Sequence, residues 1–190
     1  MLRTLLVLLL LVGLTAGFAS VGSALFTSTA TVDANTFTTG TVIISTTPTT
    51  AAVTFSNMAP GDQTTAPITV TNSGTLDLRY AVKSVATNAD SKSLMSQLVL
   101  TIKSGVTTCT NGGFGSSGTQ LYSGALGSVA GINVIGDPTT GAQAGDRALS
   151  ASASEVLCFN VSLPSNTGDA YQNATTTATF TFSAEQTKNN

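Results

Sequence analysis

Ile68-Thr69-Val70-Thr71-Asn72-Ser73-Gly74-Thr75-Leu76-Asp77-Leu78-Arg79-Tyr80-Ala81-Val82-Lys83 decides the class of fold. Ile68 and Val70 alternate with Thr69 and Thr71. After Asn72-Ser73-Gly74 the alternation resumes: Leu76, Leu78, Tyr80 and Val82 share one face, Asp77, Arg79 and Lys83 the other. A period of two is the signature of a half-buried strand, and Asn-Ser-Gly is turn chemistry. The same pattern recurs outward. Thr41–Ser45 reads as a short strand. Val53 and Phe55 alternate with Thr54 and Ser56, ahead of a turn at Ala59-Pro60-Gly61-Asp62. Leu98, Leu100 and Ile102 form another face, as do Leu157, Phe159, Val161 and Leu163, and then Ala178, Phe180, Phe182 and Ala184. Ser91–Gln97 reads as the one short helix. Thr110–Gly118 and Asp137–Arg147 read as loops, and Leu121–Ile135 has no clear pattern. These strands predict an antiparallel all-β sandwich. Its edges carry few charges to block pairing with other chains.

Composition narrows the function. The chain has 190 residues, a net charge of −2, only 8% charged residues and no His. A charge this small argues against nucleic acid as a partner. Without His, neither a Ser-His-Asp nor a Cys-His centre can be built.

Residues 1–24 read as a secretory signal peptide that would form an N-terminal signal helix. Arg3 is the basic start, Leu5–Leu14 the apolar stretch, and Gly22-Ser23-Ala24 the small-residue junction, so a signal peptidase is expected to cut between Ala24 and Leu25. The rival is a retained anchor, since no charge intervenes between Arg3 and Asp33. The weakly apolar TAGFASVGSA favours cleavage. Leu163–Gly168 lacks the spacing and tail of a sortase signal. Two Cys in an exported chain most simply pair. A Cys109–Cys158 bridge would stabilise by about 4 kcal/mol in the chain-entropy model; two free thiols or an intersubunit bridge are the alternatives. Asn160-Val-Ser and Asn173-Ala-Thr fit the glycosylation sequon.

Several landmarks occur in one order: Leu25-Phe26-Thr27, Asn35–Val42, Phe55–Asp62, Val70–Leu76, Leu94–Leu98, Tyr171-Gln172-Asn173 and Thr179–Gln186. This series resembles the TasA/camelysin family of exported proteins, often processed by a SipW-type signal peptidase. The resemblance implies a jelly-roll-like sandwich and a structural subunit of extracellular filaments, in a biofilm matrix or pilus-like. It implies donor-strand complementation, in which one subunit's mature amino terminus pairs into the next. The donor would be Leu25-Phe26-Thr27-Ser28-Thr29-Ala30-Thr31-Val32-Asp33-Ala34-Asn35, which has one charge and no Pro or Gly. The domains would be 1–24, the donor segment 25–38 and the sandwich 39–190. The partners would be the chain itself, head to tail, and an anchoring or nucleating surface protein. The first strand folding into its own subunit is the alternative at that segment.

Two other functions are compatible with the sequence. One is a monomeric surface adhesin or binding module, for which Phe114, Tyr122 and Tyr171 are the candidate exposed aromatics. The other is the metallopeptidase activity by which camelysin-type members have been classed. The hard ligands are Asp33, Asp62, Asp77, Asp90, Asp137, Asp146, Asp169, Glu155 and Glu185. Without His and with the Cys paired, they make a poor catalytic zinc set, so no enzyme and no cofactor are expected. Glu155 and Glu185 are the pair to test for glycoside chemistry, with Glu185 expected on a solvated face. Lys83 and Lys103 are also expected to point outward. Residues 112–118 lack the ending of a phosphate loop.

Overall fold

A computed structural model of the chain describes residues 27–188. The proposed signal peptide, its cleavage point at Ala24 and Leu25, and Phe26 lie outside the described residues. The chain divides into two units, residues 1–38 and 39–190.

The second unit is an all-β sandwich of antiparallel sheets. Its strands are β1 (Ile44–Thr47), β2 (Gln63–Asn72), β3 (Leu78–Ala86), β4 (Val99–Ser104), β5 (Thr119–Ala125), β6 (Ile132–Ile135), β7 (Arg147–Leu149), β8 (Ser154–Ser162) and β9 (Ala178–Gln186). The first sheet runs β1-β2-β8-β4-β5. In the second, β9 pairs with β3 along its whole length, from Leu78↔Gln186 to Ala86↔Ala178. β6 and β7 divide the opposite edge of β3, at Val82–Ser84 and Leu78–Tyr80. They are two pieces of one strand position, interrupted by the excursion 136–146.

The alternating residues meet between the sheets. Ile68, Val70, Leu100, Ile102, Leu157, Phe159 and Val161 face Leu78, Tyr80, Val82, Val134 and Leu149 across one core. Burying each large side chain contributes about 1.5–3 kcal/mol. The Asn72-Ser73-Gly74 turn carries the chain from one sheet to the other. Asn72 is wholly buried, and its amide donates to the carbonyls of Leu76 (2.8 Å), Leu149 (3.2 Å) and Ser150 (3.1 Å). Its Oδ1 accepts the Gly74 N–H at 2.9 Å. Any side chain at Gly74 would strike the Thr41 carbonyl, so this turn requires glycine.

Several expectations need correction. No strand forms at 53–56. Val53 and Met58 pack on the core, while Phe55 is exposed. The first strand lies at Ile44–Thr47 rather than 41–45. The helix is a single turn, α1 (Leu94–Gln97). Ahead of it, Asp90 Oδ1 accepts the Lys92 N–H (3.0 Å) and Asn88 Oδ1 the Ser93 N–H (2.7 Å). Ser91 and Ser93 are held at φ 58°, so side-chain bonding has displaced the first helical turn. The unassigned stretch 121–135 holds most of β5 and all of β6, and β7 falls at the end of an expected loop.

Candidate assembly interface

β2 has two unlike halves. Thr69–Asn72 pairs with β1 on one side and with β8 on the other. Gln63–Pro67 pairs with β8 only. The Asn72 N–H donates to Ala153 O (2.9 Å) and the Leu163 N–H to Asp62 O (2.9 Å), so even-numbered residues present their backbone groups to β8. Odd-numbered residues therefore present theirs to the other side, where Ser73 N–H meets Ile43 O at 2.9 Å. On the open half these are Gln63, Thr65 and Pro67. In-register continuation of β1 would set residues 49, 51 and 53 opposite them. Two prolines oppose that continuation: Pro48 follows the last residue of β1, and Pro67 offers no N–H. The chain leaves the edge as irregular backbone over 51–59.

The core is thinner behind this open half. Val70 and Asn72 are wholly buried on the closed half, whereas Thr64 and Ala66 are half-buried on the open half. Phe159, in register with Ala66, stacks edge-on against Phe180 of β9 at 5.0 Å, and Phe180 is itself half-buried. β1 lies beside β9, so one flank of the sandwich is closed by a strand for only part of its length. At the Asp62 end a groove of about 760 Å³ opens, lined by Phe55, Met58, Leu94, Leu98, Leu163 and Tyr171 among others. Asp90 holds its rim, accepting the Thr175 N–H at 2.6 Å. Backbone N–H donors, that of Lys92 foremost, hold its carboxyl below the usual range.

The first unit supplies an unpaired segment. Residues 27–38 form no strand, and Val32 and Phe37 are 82% and 93% exposed. Asn35 Nδ2 donates to Val32 O at 2.7 Å, and Ala34 sits at φ 62°. Joining a sheet requires Ala34 to return to negative φ.

The disulfide Cys109–Cys158 is formed, with Cα atoms 5.6 Å apart. Cys158 is in register with Pro67, so the bridge ties loop 105–118 to the outer face behind the open half. Lys103, expected outward, is half-buried: its Nζ donates to Phe114 O (2.9 Å) and lies 4.6 Å from the Phe114 ring. Phe114 is buried beneath it rather than exposed. Tyr122 and Tyr171 are half-buried. Tyr122 donates to Ala125 O at 2.9 Å, and burial pushes its pKa up. Asn160 corrects the glycosylation reading. It is only 5% exposed, and its amide donates to Thr65 Oγ1 (2.7 Å) and Gln63 Oε1 (3.0 Å), leaving no room for a glycan in the folded domain. Asn173 is exposed, at φ 55° on the groove rim.

The two candidate glutamates lie in separate ion clusters. Glu155 accepts from Tyr80 Oη (2.6 Å) and from Arg147 Nη2 (2.6 Å) and Nε (3.0 Å). Burial, then the bond to this carboxylate, raises the Tyr80 pKa far above the ordinary phenol range. The same carboxylate raises that of Arg147. Glu185, expected on a solvated face, is half-buried. It accepts from Arg79 Nε (2.5 Å) and from the Gly141 N–H (3.0 Å) of the 136–146 excursion. That excursion folds back over β3 and buries Arg79, which was expected outward. Arg79 Nη2 is buried without a partner, the one such side-chain atom among the described residues. Each glutamate is neutralised by its own arginine, so the two make no proton-sharing pair.

A family model described as camelysin metallo-endopeptidase matches residues 7–105, just over half of the chain. The chain belongs to the camelysin family. The match spans β1 to β4 and stops before Cys109. The residues do not fit the metal centre that the family's description implies. This camelysin relative has no His, its Cys are bridged, and among the described residues no group of three or more Cys, Asp or Glu could hold a metal. Among the same residues, no helix is long and apolar enough to cross a membrane. No curated protein matches the chain. A PapD-like domain of human CEP192 (PapD-like domain 7) is similar over 85% of this chain and 96% of its own, at 14% identity and a TM-score of 0.29, too remote to carry an argument.

Proposed function

We propose that this camelysin-family chain is an exported structural subunit that polymerises into extracellular filaments at the cell surface or in a matrix. Residues 25–38 of one copy would add as a strand to the open half of β2 in the next. The observation that carries this reading is the half-paired β2. Thr65 and Pro67 face no strand on the open side, where the Gln63 carbonyl accepts from Asn111 Nδ2, and they lie beside a thin stretch of core at Ala66 and Phe180. An added strand would supply both the missing hydrogen bonds and the missing side chains. Such a contact repeats head to tail without closing, so it builds a fibre. Signal cleavage would free the donor, and a surface protein would anchor or nucleate the fibre.

Electron microscopy tests this with a chain starting at Leu25 beside one starting at Thr39. Filaments from the first and monomers from the second are expected. If both stay monomeric at high concentration, the chain is a surface binding module instead. If both polymerise, the interface lies elsewhere.

A further inference from the structure

We infer that Asn111 is a site of spontaneous chemical modification, which removes a side-chain tether between the 105–118 loop and the open half of β2. Asn111-Gly112 is the one Asn-Gly pair in the chain. Both residues are exposed, and nothing lies within 4 Å of where a Gly112 side chain would stand. The N–H groups of Gly113 and Phe114 are tied to Thr110 O, at 3.1 and 2.9 Å, whereas that of Gly112 is not. Its nitrogen can therefore approach the Asn111 side chain without a Cβ in the way.

The chemistry needs only water. The Gly112 backbone nitrogen loses its proton and bonds to Asn111 Cγ. The Cγ–Nδ2 bond breaks, and ammonia leaves carrying that proton. The five-membered succinimide is then opened by water at either carbonyl. One opening gives Asp, the other a β-linked isoaspartate that lengthens the backbone. Every other described Asn precedes a residue with a side chain, and Asn72 and Asn160 are also buried.

The location gives the reaction a consequence. Asn111 Nδ2 donates to Gln63 O at 3.0 Å, and that carbonyl belongs to the unpaired edge. The product carboxylate is an acceptor and cannot make this bond; two oxygens then face each other. The loop loses this tether, while Cys109–Cys158 and the Lys103–Phe114 contact still hold it. This inference does not depend on the filament reading.

The test is to incubate the purified chain in mildly alkaline buffer, digest it and analyse the peptides by mass spectrometry with an isoaspartate methyltransferase assay. The Asn111 peptide should convert before any other Asn peptide, with isoaspartate exceeding Asp. Gly112→Ala should slow conversion by about tenfold or more, since a Cβ then obstructs the attacking nitrogen. Amide exchange in residues 105–118 should be about fivefold faster in Asn111→Asp than in the unreacted chain, as expected for one lost hydrogen bond. The denatured chain in the same buffer is the control. An Asn111 that stays intact in the folded chain, whether or not the denatured chain converts, overturns the proposal. So does faster conversion at another Asn, or unchanged exchange in Asn111→Asp.

Discussion

The two halves of β2 belong to one strand and differ in their neighbours. Thr69–Asn72 has a strand on each side; Gln63–Pro67 has β8 alone. Behind the closed half stand Glu155, in register with Val70, and its partners Tyr80 and Arg147. Behind the open half stands the disulfide, through Cys158 opposite Pro67. The lesson is that pairing here is limited by two prolines and by what comes next in the chain. A covalent link backs the half that lacks a second neighbouring strand, and a charged cluster backs the half that has one.

Removing the covalent link should have the largest effect. Cys109→Ser with Cys158→Ser is expected to cost about 4 kcal/mol in urea unfolding. Hydrogen exchange should quicken most at Thr64–Pro67 and in the 105–118 loop. Uniform quickening across β2 would remove the assignment of the bridge to the open half. Next is Asn72→Ala on the closed half. It removes the side-chain donor to the carbonyls of Leu76 and Leu149, while Ser150 O keeps the Ala153 N–H, and should cost about 2–3 kcal/mol by the same unfolding measurement. Faster exchange should then appear at Ser73–Leu76 and Ile43, with Gln63–Pro67 little changed.

Tyr80 sharpens the comparison through pH. Its pKa is raised by burial and by the Glu155 carboxylate, so the folded state keeps the proton that the unfolded state gives up near pH 10. Below that pH the contribution to stability is fully present; as pH rises further it is lost. Tyr80→Phe should cost about 1.5 kcal/mol at neutral pH, for one hydrogen bond to a charged group. Its stability should then fall less steeply than wild type in alkali, the remaining slope including Tyr122. Parallel slopes in the two proteins would contradict the buried phenol. Smallest in stability is Thr65→Lys at the open edge, expected to cost about 1 kcal/mol because the Asn160 amide loses its bond to Thr65 Oγ1. If this edge receives a strand, the added charge should nonetheless suppress filaments seen by electron microscopy. Unimpaired filaments would move the acceptor to another edge.

Where a strand is long and buries one face, sequence periodicity reads the fold well. Leu78, Tyr80 and Val82, and Leu157, Phe159 and Val161, are the inward rows that their spacing announces. Val53 and Phe55 carry the same spacing but find no partner strand, because periodicity reports a face and not a neighbour. β5 and β6 are short and flanked by Gly, which hides their alternation. Arg79 and Glu185 alternate outward as expected, yet the 136–146 excursion covers that face. Asn160 is outward too, but hydrogen bonds to Gln63 and Thr65 hold its amide against the sheet. At the candidate interface, residues 27–38 are exposed and form no strand, and their role as a donor rests on the family resemblance. The open half of β2 was not legible in the sequence, since Pro67 reads as an edge only once β1 is seen to end at Thr47.

The two covering loops have a joint consequence. One, fastened by the disulfide, lies on the outer face of the first sheet. The other, drawn down by the Gly141–Glu185 bond, lies on that of the second. Weakly charged, threonine-rich sheets left bare could laminate face to face, as amyloid layers do. Each loop would act as a spacer that keeps a second sandwich at a distance, so that any contact between copies would fall to strand edges. The molecule guards against sheets stacking while leaving a place where strands can join.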